Sequence, residues 1–114
     1  MAGGVDDRET TVRDFRTVVN MTPAALEKWL ATDESRAVGI THGEGGESVG
    51  HHSGRRIVEL LRTRAPELGD ADLAHMRKVV GYVHRHLAQR PAGDVRDTRW
   101  RWSLMNWGHD PLHR

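Results

Sequence analysis

The stretch DADLAHMRKVVGYVHRHLAQRP, Asp70 to Pro91, carries the one long unbroken hydrophobic period in the chain. Leu73, Met76, Val80, Val83 and Leu87 fall at i, i+3, i+7, i+10 and i+14, the spacing that aligns apolar side chains along one face of an α-helix. Asp70 predicts the N-cap, and Asp72 in the first turn places negative charge where the helix dipole favours it. Pro91 stops the helix, so residues 71–90 are read as helical. At about 1.5 Å per residue they span roughly 30 Å, the length of a small domain. A helix this long sets the class of the fold.

The face opposite the stripe carries Lys78, Tyr82, Arg85 and Gln89, with His75 and His86 at its edges and no acid between Asp72 and Asp94. A solvated helix face normally mixes signs so that i,i+4 pairs form; this one is basic throughout. Lysine and arginine bind phosphates, and arginine and glutamine also read base edges, so the composition is that of a helix entering a DNA groove. An ordinary solvated face and a surface for an acidic protein partner are the competing readings.

The chain has 114 residues and a net charge of +1, which hides a polarity. Residues 1–52 hold five Lys/Arg against nine Asp/Glu, a net of −4, and residues 53–114 hold twelve against seven, a net of +5. Fifteen of the seventeen cations are arginine, whose planar fork grips phosphate and carboxylate bidentately; a base composition rich in arginine codons is the plain alternative. Apolar residues make up 37%, which predicts a thin core and a large polar surface. The absence of cysteine excludes disulfides, thiolate metal sites and a cysteine nucleophile. With no membrane-length apolar run and no signal-peptide pattern, the expectation is a cytoplasmic protein.

Upstream, residues 1–8 read as a disordered lead, followed by one helical domain over 9–114. A first helix is expected over Glu9 to Val19, and a second starts at Thr22-Pro23, a hydroxyl cap followed by proline. Residues 36–52 are glycine-rich and read as one long loop. Ser53-Gly54 is read as the cap of a helix over Arg55 to Arg64. Gly50, His52, Ser53 and Gly54 would then form a glycine-flanked anion site at a helix N-terminus, with Arg55 and Arg56 in the first turn as phosphate clamps. Downstream, Trp100 to Trp107 is expected to be helical with Gly108 closing it. Its Trp100, Leu104 and Trp107 share a face that suits the core, while Arg99 and Arg101 flank an exposed Trp102. The fold class is therefore all-α, a compact single domain of about five helices around the long central one.

No Ser-His-Asp order, HExxH helix or P-loop ending is present, so the expectation is a non-enzyme without a cofactor. Eight histidines invite a metal, but His84 and His86 are about 200° apart around the helix and cannot share an ion. His84, beside the stripe, is expected to be partly buried and hydrogen-bonded.

Several segments stand together in order: Val19-Asn20-Met21-Thr22, Glu47 to His51, Ser53 to Val58, Ala74 to Pro91, and the closing Asn106-Trp107-Gly108-His109-Asp110-Pro111. With them the chain resembles a family of small bacterial and fungal proteins known as a domain of unknown function, some labelled DNA-binding. The resemblance implies no catalytic residues. The leading expectation is a DNA-binding protein using Lys78, Tyr82, Arg85, Gln89, Arg55, Arg56, Arg99 and Arg101, with a homodimer supplying two half-sites. An interaction module for an acidic partner and a small-anion binder at Gly50–Arg56 are the alternatives.

Overall fold

Phe15, Leu26, Ile57, Met76, Val79, Val83 and Leu104 are wholly closed off from solvent, and they come from five different helices. The computed structural model describes residues 4–38 and 48–113, with side chains from Arg8 onward. Its elements are α1 (Gly4–Val18), α2 (Pro23–Leu30), α3 (Asp33–Ala37), α4 (Val49–Leu61), a 3-10 turn (Ala65–Glu67), α5 (Asp70–Leu87) and α6 (Arg99–Asn106). Six helices and a 3-10 turn make an all-α domain, as the periodicity requires. α5 packs against α1, and α2 against α4. The short α6 touches α2, α3, α4 and α5, so it joins the two pairs.

Local chemistry accounts for most boundaries. The Thr22 hydroxyl accepts the Ala25 N–H at 3.1 Å with Pro23 behind it, as expected. α3 is an additional short helix, begun when the Thr32 hydroxyl accepts the Ser35 N–H. α1 starts at Gly4, so residues 4–8 of the expected lead are helical and residues 1–3 lie outside the described residues. Arg8 then donates to the Ala65 and Leu68 carbonyls at 2.6 and 3.0 Å, tying α1 to the 3-10 turn.

Further boundaries differ from the sequence reading. α4 begins at Val49, where the Ser48 hydroxyl accepts the His51 N–H at 2.9 Å, and Ser53 and Gly54 lie buried inside it. This also cuts into the loop expected over 36–52, of which residues 39–47 lie outside the described residues. A helical glycine reads as a breaker, but Gly50 and Gly54, one turn apart, let α6 approach. A Cβ at Gly54 would meet the Asn106 carbonyl oxygen and come within 2.7 Å of Leu30, and one at Gly50 would come within 3.1 Å of the Trp107 Nε1. Packing outweighs the roughly 1 kcal/mol that glycine costs in a helix. At its other end, α5 stops at Leu87 rather than Arg90, because the ring of Pro91 would collide with the carbonyl four residues back. Its cap is Gly69, whose N–H donates to Asp72 at 2.9 Å. Val79, outside the expected stripe, is fully buried, whereas Val80 and Leu87 of the stripe are half-buried.

Candidate nucleic-acid interface

α5 turns Lys78 and Arg85 outward, with Arg77 beside them and Arg90 just beyond its end, all exposed. Among the described residues no carboxylate pairs with any of these four. The Arg85 guanidinium folds back over Gly81, where a Cβ would stand 2.9 Å from Nη1. Gln89 is exposed too, but it sits in the turn after the helix, its N–H donating to the His86 carbonyl.

Tyr82 does not belong to this face. Its ring stacks on Trp107 at 4.2 Å and on His86 at 5.3 Å, and burial pushes its hydroxyl pKa up against a hydrogen bond from Ser103. In a chain with one Phe and one Tyr, the ring is drawn to the core edge where the body is covered and the hydroxyl finds a partner. The stack continues as a ladder between α5 and α6: His75, Trp107, Tyr82, His86 and Trp100, each adjacent pair within 14° of parallel, with Arg90 5.5 Å over the Trp100 ring. The Trp100 indole N–H donates to the His86 carbonyl at 2.7 Å, and His86 Nε2 lies 3.1 Å from the Trp100 carbonyl.

The histidines are arranged differently from expectation. His84 is exposed, while His75 and His86 are half-buried. Burial lowers the pKa of both. For His75 it falls to about 4, with the charges of Arg56, Lys78 and His52 adding to the effect. His75 Nε2 lies 2.9 Å from the buried Ser53 hydroxyl. No three His, Asp or Glu side chains among the described residues converge to hold a metal ion.

The other expected contacts separate. Arg56 pairs with Asp72 at 3.1 Å across the α4–α5 seam, each about one-third exposed. Arg55 lines a different cleft, with Glu27, Arg36, Glu59 and Arg62, where Arg62 forks onto Glu27. Arg99 is exposed and donates to the Ala37 carbonyl at 2.7 Å. Arg101 is spoken for: its Nε and Nη2 fork onto Asp110 at 3.1 and 3.0 Å, and Nη1 donates to the Arg96 carbonyl. α4 starts at Val49, so Gly50 lies in its first turn, whereas His52 is exposed further along and Ser53 and Gly54 are buried in the second turn; of the four residues expected to form the anion site, only Gly50 stands at the helix start.

The closing string is a clasp. Asn106, 1% exposed, accepts from the Trp29 indole N–H at 2.7 Å and the Ser35 hydroxyl at 2.5 Å, and donates to the Ser35 carbonyl at 3.0 Å. Gly108, at φ +81°, ends α6 in a Schellman turn: its N–H reaches Met105 and the His109 N–H reaches Leu104. His109 Nδ1 lies 2.6 Å from the Val18 carbonyl, and Asn20 and Asp110 exchange two hydrogen bonds of 2.8 and 3.0 Å. Burial would raise the Asp110 pKa, but the Arg101 fork and the Leu112 N–H outweigh it and hold the carboxyl below its ordinary value. The clasp therefore fastens the end of α6 to α1, α2 and α3.

Fold and surface together define a small all-α domain with one acid-free basic helix face. The chain belongs to the family described as Protein of unknown function (DUF3140), whose family model matches residues 14–105. That span closes at Met105, one residue before the clasp string. No curated protein matches the chain, and no solved structure does. No helix among the described residues is long and apolar enough to cross a membrane.

Proposed function

We propose that the protein binds duplex DNA through the outward face of α5, with Lys78 and Arg85 as the principal contacts and Arg77, Gln89 and Arg90 at its borders. The observation that supports this most is the exposure of these cations on a rigid helix without a carboxylate partner among the described residues. Such a face lowers its own electrostatic energy by taking up phosphate charge and releasing counterions. Arg56 reaches α5 from α4 through its ion pair with Asp72.

Arg55, Arg101 and Tyr82 drop out of the contact set: Arg55 lines another cleft, Arg101 is committed to Asp110, and Tyr82 is part of the ladder. Fluorescence anisotropy with a labelled duplex at low salt tests the reading. Binding is expected in the wild type and is expected to weaken about tenfold or more in Lys78→Gln/Arg85→Gln, the scale of two lost charge-assisted contacts. Arg36→Gln, in the other cleft, leaves it unchanged. Equal affinities for wild type and the double variant would overturn the proposal.

A further inference from the structure

α4 and α5 are bridged by two side-chain rungs: Arg56 to Asp72, and one turn along, Ser53 to His75. Lys78 stands on α5 one turn beyond His75. This edge therefore carries Arg56, His75 and Lys78, with Asp72 paired to Arg56. That carboxylate is already divided, one oxygen taking the Arg56 guanidinium and the other the Gly69 N–H at 2.9 Å. Nε2 of His75 is held by Ser53, whereas its Nδ1 has no hydrogen-bond partner among the described residues and is not buried.

We propose that Arg56, Lys78 and His75 form a seat for a phosphoryl group at the α4–α5 seam, with Asp72 holding Arg56 in position for it. A phosphoryl oxygen there meets a guanidinium already oriented by a carboxylate, a mobile ammonium, and an imidazole nitrogen fixed from behind by Ser53 and by the Trp107 ring at 6.3 Å. Where the phosphoryl group is one of the DNA backbone, the seat rests on the reading above and extends the α5 footprint onto α4. A free phosphate has the same chemistry.

Occupation has a proton signature. The charged groups around His75 are Arg56 and His52 from α4 and Asp72 and Lys78 from α5, while α6 contributes only the uncharged Trp107. The cations and burial keep the imidazole neutral. A phosphoryl anion placed among them reverses the local field and favours the protonated imidazolium.

The experiment is an NMR pH titration of the His75 imidazole in the full chain, in chloride and in inorganic phosphate at matched ionic strength, repeated with dimethyl phosphate and with a short duplex. The expected result is a midpoint moved up from about 4, with the required phosphoryl concentration rising about tenfold in Arg56→Gln and in Lys78→Gln. A shift with inorganic phosphate alone assigns the seat to a free phosphate, and a shift with the diester and the duplex assigns it to the backbone. A midpoint indifferent to all three, or an undiminished shift in both variants, overturns the seat. Arg85→Ala separates the two proposals. Duplex binding that depends on Arg85 while His75 does not move removes the seat alone, and a phosphate-shifted His75 without duplex binding removes the DNA reading alone.

Discussion

Asn106 shows how much of this fold rests on single buried polar groups. Its amide satisfies three hydrogen bonds across 71 to 77 residues of sequence. Asn106→Ala leaves the Ser35 hydroxyl and carbonyl and the Trp29 indole N–H without their partner, which costs about 2–4 kcal/mol because unmade buried bonds are costlier than made ones are favourable. Urea denaturation should show that loss as a lower midpoint with an unchanged slope. Glycines discriminate further. Gly54→Ala drives a methyl into the Asn106 backbone carbonyl, which cannot yield, and overpacking of about 1–3 kcal/mol exceeds the roughly 1 kcal/mol gained in helix propensity. Gly81→Ala meets only the flexible tip of Arg85, so it is expected to stabilise the chain by about 0.5–1 kcal/mol. Opposite signs for the two substitutions in thermal melts are the check.

At the scale of elements, the α5–α6 ladder carries two imidazoles held neutral by burial. The unfolded chain takes up those protons near the ordinary histidine pKa of about 6.5, whereas folded His75 resists to about 4. Stability from this pair is therefore full above about pH 6.5 and drains as pH falls toward 4. Melting temperatures recorded across that window should fall with pH, and less steeply in His75→Gln than in the wild type. A flat profile would contradict the buried, neutral ladder. The same elements show what was legible in the sequence. Thr22-Pro23 and Gly108 act through their own backbone neighbours, and Trp100, Leu104 and Trp107 share a face whatever lies opposite. These features are where the periodicity and caps put them. The start of α4 was not legible, because Gly50 and Gly54 answer to α6, about fifty residues downstream. Tyr82 was placed by helical angle, but its partner is Trp107, and no angle on α5 reports the height of a ring on α6.

For the whole molecule, the polarity of charge between the two halves is only partly a polarity of surface. Arg62 and Arg101 are neutralised by Glu27 and Asp110, and Arg99 is turned onto the Ala37 carbonyl, so part of the arginine excess fastens helices together. The closing Asn-Trp-Gly-His-Asp-Pro string, the most distinctive feature of the sequence, belongs to that fastening. Arg16, Lys28, Arg36 and Arg64 are exposed singly elsewhere, whereas α5 carries Arg77, Lys78 and Arg85 together, which makes the contacts of this face countable. Each phosphate contact contributes close to one unit to the slope of log affinity against log salt. The most direct test of the account is that slope for duplex binding, measured in the wild type, Arg85→Ala and Lys78→Ala. The account predicts steep salt dependence in the wild type and a slope smaller by about one in each variant; duplex binding with no salt dependence, or with the same slope in all three proteins, would contradict it.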